Sequence, residues 1–138
     1  MLINYPAVLV CAVLSMVVGA IWYGPIFGKK WKEITGVDVH DTEMRKRMNH
    51  STGPLYITQF LLTLFQVYVL AYLIAAWPGA NGVKLALFLW AGFVVPTVVG
   101  VTMWGHGSAR TAWASFLIQA LYQLLMFTIY GYILWVWI

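Results

Sequence analysis

Four long apolar runs, separated by three more polar connections, form the hydrophobic pattern of this chain. The runs cover about residues 3–27, 55–77, 83–104 and 111–137. A hydrocarbon core of roughly 30 Å requires about 20 helical residues at about 1.5 Å each, and every run is long enough. Because the runs do not alternate between polar and apolar residues, as the strands of a membrane barrel do, they predict helices. We therefore expect an all-α integral membrane protein with four transmembrane helices in one bundle and one domain, residues 1–138.

The first connection, residues 28–54, carries a weaker helical signal of its own. Asp41 can cap a helix from Thr42 to about Asn49. Asp41 with Arg45, and Glu43 with Arg47, form oppositely charged pairs four positions apart. We expect a short interfacial helix here, and a fully disordered loop is the alternative.

Composition agrees with a membrane protein, because 62% of the residues are hydrophobic and only 9% are charged. A soluble domain of this size cannot bury so much apolar material. The residues before the first run include no Lys or Arg, and the run is longer than a signal-peptide core, so we expect a retained helix. The single cysteine, Cys11, cannot form an intrachain disulfide.

The basic residues predict how the bundle is oriented. Seven of the eight lie in the first and third connections, and only Lys84 adjoins the second. The positive-inside rule then puts the first and third connections in the cytoplasm and both termini outside it. Six of these basic residues lie in a connection that also holds all four acidic residues, which favours anionic lipid as a partner over nucleic acid.

Aromatic residues near the helix ends favour the same topology, since Trp and Tyr prefer the membrane interface. The expected outer group is Tyr5, Trp77, Trp135 and Trp137, and the expected inner group is Trp22, Tyr23, Trp31, Trp104 and Trp113.

Small residues recur at four-residue spacing along two of the helices. The first helix carries a packing seam of Ala7, Cys11, Ser15 and Gly19. Such a seam lets a neighbouring helix approach closely, inside the bundle or, as the alternative, in another subunit. The third helix repeats the theme with Gly92, Pro96 and Gly100, and Pro96 is expected to bend it.

Two polar stripes lie on the second and fourth helices. Each of these two helices carries three polar residues on one face. They are Gln59, Thr63 and Gln66 on the second helix, and Ser115, Gln119 and Gln123 on the fourth. We expect the stripes to hydrogen-bond the helices together, and a polar path through the bundle or an oligomer is the alternative. No Asp, Glu, Lys or Arg lies in the middle of a run, so the sequence offers no evident proton relay.

The sequence predicts neither a metal site nor a catalytic site. His40, Asp41, Glu43 and His50 match no zinc spacing and are interpreted as a solvated loop. Ser108 lies two residues after His106 but lacks a nearby orienting carboxylate in the sequence, so we expect no enzyme activity and no cofactor.

The start of the fourth helix combines two glycines with His106, Ser108 and Arg110. Free backbone amides at a helix start, together with an arginine, can bind an anionic lipid headgroup. We favour a helix cap and a topology-setting charge at this position, with the headgroup site as the alternative.

Three segments are distinctive: INYPAVLVCAVLSMVVGAIWYGPIFGKKW at 3–31, WAGFVVP at 90–96 and ALYQLLMFTIYGYIL at 120–134. Together they resemble the bacterial membrane family known as domain of unknown function 1761. The resemblance implies a small four-helix inner-membrane protein and no established activity. Its most specific part is WYGPIFGKKW, which we interpret as an interface anchor that sets the depth and exit angle of the first helix. The anchor residues are Trp22, Tyr23, Gly24, Pro25, Phe27, Gly28 and Trp31.

The leading functional hypothesis is a self-associating structural or accessory membrane protein. One alternative is a channel or transporter for a small neutral or weakly polar solute. Another is an anionic-lipid-binding subunit that uses Arg110 and the basic connection.

Overall fold

The computed structural model describes residues 3–30, 42–104 and 108–137, with side chains described throughout except at 42–52. This part of the chain is helical and contains no strand. Four of its helices are long and apolar enough to cross a membrane, and we number these spans in chain order: Tyr5–Ile26, Gly53–Ala76, Gly82–Met103 and Ala109–Val136. The predicted all-α membrane bundle is therefore confirmed, with span ends within a few residues of those expected.

The second span belongs to a longer helix, Thr42–Ala76. The segment expected to form a separate interfacial helix is helical, but it continues into the span without a break, which corrects the predicted boundary near Asn49. Pro54 lies inside this helix. A single proline removes one backbone hydrogen bond, and near a membrane interface water can satisfy the carbonyl that it frees.

The first and third spans each contain one π-helical turn, Trp22–Ile26 and Trp90–Val94. In the first of them, the N–H of Phe27 donates to the carbonyl oxygen of Trp22 five residues earlier, at 3.0 Å. Pro25 lies inside the first turn and Pro96 lies two residues after the second, and a wider turn accommodates a residue that lacks an N–H. One π turn thus contains Gly24 and Pro25 of the predicted anchor, and the other ends just before Pro96, the position of the expected bend.

The fourth span occupies the centre of the bundle. It contacts the other three spans, the first span packs against the second, and the third packs mainly against the fourth. Only 11% of an 18-residue apolar stretch of the third span is buried inside the protein. Phe88, on this span, is 77% exposed. Such a large apolar outer surface is expected where hydrocarbon replaces water as the solvent.

Glycines permit the closest approach between the third and fourth spans. A Cβ atom added at Gly131 would lie 2.6 Å from the carbonyl oxygen of Gly82 and 2.8 Å from Cβ of Ala86. Only a residue without a side chain fits there. By contrast, a Cβ atom added at Gly92 or Gly100 would meet no described atom within 4 Å, so this predicted seam faces away from the bundle.

Asn4 connects the two ends of the described chain. Its Oδ1 atom accepts a hydrogen bond from the N–H of Ala7 at 3.2 Å and so caps the first span. Its Nδ2 atom donates to the carbonyl oxygen of Trp137 at 2.6 Å. The start of the first span and the end of the fourth therefore lie at one end of the bundle. We call the other end, with residues 27–30, 53–56 and 108–110, the basic end.

Candidate functional site

The packing seam of the first span lies inside the bundle. Ala7 and Cys11 are 0% exposed, and Ser15 is buried. A Cβ atom added at Gly19 would lie 3.0 Å from the hydroxyl oxygen of Tyr122 on the fourth span. Within the described chain, the small residues of this seam thus make room for helices of the same subunit.

Ser15 and Tyr122 form a polar pair in the core, next to the buried Tyr130. The Tyr122 hydroxyl donates to the Ser15 carbonyl oxygen at 2.7 Å, and the two hydroxyl oxygens are 3.2 Å apart. Tyr122 has only one hydroxyl hydrogen, so Ser15 Oγ is the donor in the second bond. Both side chains are buried, which strengthens this contact between the first and fourth spans.

Two tryptophans that begin the π turns also bind the fourth span. Nε1 of Trp22 donates to the carbonyl oxygen of Ile118, and Nε1 of Trp90 donates to that of Ala120, each at 3.0 Å. An indole N–H in an apolar environment requires an acceptor. These bonds therefore fix both π turns against neighbouring positions of the central helix.

The anchor motif divides between the protein interior and the surface. Trp22 is half-buried, and its ring lies 4.8 Å from that of Phe27, while the Tyr23 ring meets that of Tyr122 edge-on at 5.4 Å. Gly28 is buried, and Gly24 and Pro25 are exposed. Trp31 lies outside the described residues. The aromatic residues of the motif thus pack against the bundle in addition to any contact with headgroups.

The two polar stripes each form hydrogen bonds within their own helix. Nε2 of Gln59 donates to Oγ1 of Thr63 at 3.1 Å, and Nε2 of Gln119 donates to Oγ of Ser115 at 2.9 Å. No hydrogen bond joins the two stripes within the described part of the chain. The remaining glutamines are Gln66, which is exposed, and Gln123, which is partly buried.

The start of the fourth span has the geometry of a capped helix. Oγ of Ser108 accepts from the N–H of Thr111 at 3.2 Å, and Arg110 is exposed. His106 lies outside the described residues. The same is true of His40 and Asp41 and of the side chains of Glu43 and His50. Among the residues that the structure describes, no three His, Cys, Asp or Glu side chains lie together.

A cavity of about 470 Å³ opens between the first, second and fourth spans, toward the basic end. Its lining contains three tyrosines, so we call it the tyrosine cavity. The lining residues are Ser15, Met16, Gly19, Ala20, Tyr23, Gly24, Tyr56 and Tyr122. None of them carries a charge at neutral pH. Because Ala20, Gly24 and Tyr56 are exposed, one side of the cavity faces the surroundings of the bundle.

The sequence pattern did not indicate the contacts of Tyr122 and Trp90 or the Gly82–Gly131 contact. Helical spacing placed the small residues of the first span on one face but gave no indication of which helix they meet. The hydroxyl and indole groups inside apolar runs carried a usable signal, because each needs a hydrogen-bond partner in lipid. The partners are backbone carbonyls, which no sequence pattern marks.

Comparison with known proteins gives one match. The family model described as protein of unknown function (DUF1761) matches residues 6–135. Searches of curated proteins and of solved structures found no match. Since the family model covers nearly the whole chain, the bundle described above belongs to the DUF1761 family of proteins of unknown function.

Proposed function

We propose that this chain is a non-enzymatic membrane protein that assembles with copies of itself through the outer face of its second span. The observation that supports the proposal is the position of Gln66. This residue lies close to the midpoint of the span Gly53–Ala76, and it is exposed. Its side-chain amide has no hydrogen-bond partner among the described residues.

An unpartnered amide is costly at this depth. Transfer of such a group from water to hydrocarbon without a partner costs roughly 4–8 kcal/mol. The neighbours of Gln66 on the same helix face, Leu62, Phe65 and Val69, are exposed and apolar. We call these four residues the Gln66 face. The surrounding lipid offers the amide no donor or acceptor in the hydrocarbon region.

A second copy of the chain supplies the matching group. A glutamine amide contains both a donor and an acceptor, so two copies of Gln66 related by a two-fold axis satisfy each other. A hydrogen bond of this kind between membrane helices contributes about 0.6–2 kcal/mol. The apolar members of the Gln66 face add van der Waals contact around it.

Native mass spectrometry in mild detergent tests the proposal with two matched variants. Gln66→Leu removes the unpartnered amide and should shift the population toward monomer. Gln59→Leu makes the same change on the same helix, but the Gln59 amide is already bonded to Thr63, so the oligomer should persist. A wild-type chain that is monomeric in every detergent and in nanodiscs would contradict self-association. Equal oligomer fractions in wild type and Gln66→Leu would contradict the assignment of the interface.

The two alternative functions have less support. A solute path between the second and fourth spans requires both polar stripes to line the same channel. Gln59 and Gln66 are instead exposed on the outside, and each stripe forms its hydrogen bonds within its own helix. Binding of anionic headgroups at the basic end has the exposed side chains of Lys29 and Arg110 in its favour. We propose such lipids as partners rather than as the basis of the function.

Charge supports an orientation, and the resemblance to a bacterial membrane family supports a location. We propose that the chain resides in a bacterial plasma membrane with its basic end in the cytoplasm and both termini outside. The excess of Lys and Arg in the first and third connections is the reason for this orientation.

A further inference from the structure

We propose that the tyrosine cavity binds an uncharged lipophilic molecule that carries a hydroxyl group on a ring. The hydroxyl of this ligand would donate to the Ser15–Tyr122 pair, and its ring would lie against the tyrosines. This site is separate from the Gln66 face, and the inference does not depend on self-association.

The described lining offers no counter-ion to a charged ligand. None of the eight described residues that line the cavity is Asp, Glu, Lys, Arg or His. A charged group without a counter-ion is costly in a site surrounded by protein and lipid. An uncharged molecule can enter from the bilayer, since Ala20 and Gly24 at the margin are exposed.

The hydrogen bonds at the inner end specify a donor on the ligand. Tyr122 uses its only hydroxyl hydrogen on the Ser15 carbonyl oxygen, and the Ser15 hydroxyl interacts with both Tyr122 and the buried Tyr130. The Tyr122 oxygen can accept a further hydrogen bond, so Tyr122 presents an acceptor and no donor to the cavity. A ligand hydroxyl satisfies that end of the cavity, whereas an ether, ester or plain hydrocarbon does not.

Size and aromatic lining favour a ring. The volume of about 470 Å³ lies within the range of about 300–1,000 Å³ that is usual for small-molecule sites. Tyr23 and Tyr122 already meet edge-to-face, with ring centroids 5.4 Å apart, and Tyr56 of the second span also lines the cavity. A further ring can make the same offset or edge-on contacts with these side chains.

Photolabelling in nanodiscs tests the site with a defined probe. The probe is 4-hexylphenol with a diazirine in its alkyl chain, and the two competitors are 4-hexylphenol and hexylbenzene. We expect saturable labelling of peptides that contain Met16, Tyr23 or Tyr56. Because hexylbenzene lacks the donor, it should compete about five-fold more weakly than 4-hexylphenol.

Two variants locate the probe. Ala20→Phe fills the cavity and should reduce labelling at least about five-fold. Val17→Phe makes a change of similar size on the exposed face of the same span, outside the lining, and should leave labelling unchanged. Far-ultraviolet circular dichroism of both variants checks that each is folded. If Ala20→Phe does not fold, Tyr122→Phe replaces it and should reduce the advantage of 4-hexylphenol over hexylbenzene.

Two results would overturn the inference. If labelling does not saturate, or if it is unchanged in a folded Ala20→Phe variant, the probe only partitions into the bilayer. Equal competition by hexylbenzene means that the cavity takes any apolar filler, such as a lipid acyl chain, and that the hydroxyl is not recognised.

Discussion

The hydroxyl group of Tyr122 donates a 2.7 Å hydrogen bond to the backbone carbonyl oxygen of Ser15. This bond joins the fourth span to the first in the interior of the bundle. Ser15 belongs to a seam of small residues, so the tyrosine reaches the backbone of the first span without a side chain in the way. In an apolar environment such a bond is difficult to replace, because neither lipid nor water supplies a substitute there.

Removing the Tyr122 hydroxyl should destabilise the bundle. We expect Tyr122→Phe to lower the free energy of unfolding by about 1 kcal/mol, since it leaves the Ser15 hydroxyl and carbonyl without this partner. Unfolding in mixed micelles of dodecyl maltoside and dodecyl sulfate measures the change. Tyr132→Phe is the control, because Tyr132 is 57% exposed and its hydroxyl has no partner among the described residues. Equal stability of the two variants would contradict the structural importance of the Tyr122 bond.

A methyl group at the glycine contact of the third and fourth spans should separate these helices. Gly131→Ala places Cβ 2.6 Å from the backbone oxygen of Gly82, and overpacking against backbone costs about 1–3 kcal/mol. Gly100→Ala, where no described atom lies within 4 Å, should be neutral or stabilising by up to about 1 kcal/mol through helix propensity. The same unfolding titration compares the two. A stable Gly131→Ala variant would show that the helices do not cross this closely.

Replacing a tryptophan whose indole N–H is hydrogen-bonded should lower stability more than replacing a tryptophan that faces outward. Trp22→Phe and Trp90→Phe each leave one carbonyl of the fourth span without its indole donor, and each should lose about 1 kcal/mol of stability. Trp104→Phe is the matched control, since Trp104 is 90% exposed. Losses of equal size in all three variants would indicate a general effect of ring size in place of the hydrogen bonds.

The proposed orientation predicts which positions a membrane-impermeant reagent reaches in intact cells. In a Cys11→Ala background, a cysteine at Ala80, in the second connection, should react with an impermeant maleimide added outside. A cysteine at Ala109, at the basic end, should react only after the membrane is permeabilised. The reverse pattern would invert the topology inferred from the basic residues.

Much of the fold follows from the sequence because the governing quantity is the length of each apolar run. Four runs of sufficient length predict four spans, and the spans end within a few residues of the expected positions. The break expected before Pro54 is absent, since a helix near an interface tolerates one proline. The polar residues and the proline before the second run predicted that the helix ends there, but the observed helix continues through them.

The candidate sites were less predictable, because spacing along one helix does not identify the helix that it faces. The seam ending at Gly19 meets Tyr122, while the similar series at Gly92 and Gly100 faces outward. The tyrosine cavity combines residues from three spans that are far apart in sequence. Only their packing brings Tyr23, Tyr56 and Tyr122 together, so no local motif indicated the cavity.

Disulfide crosslinking in native membranes tests the proposed self-association most directly. The native Cys11 is replaced by alanine, and single cysteines are introduced at Leu62, on the Gln66 face, or at Val13, on the exposed side of the first span. Each variant carries one cysteine, so a disulfide between cysteines needs a second chain. Both sites are exposed and lie well inside their spans, so they can be compared directly. We expect a crosslinked dimer at Leu62 that disappears when Gln66→Leu is added, and little crosslinking at Val13. Equal crosslinking at the two positions, or none at Leu62, would contradict assembly through this face.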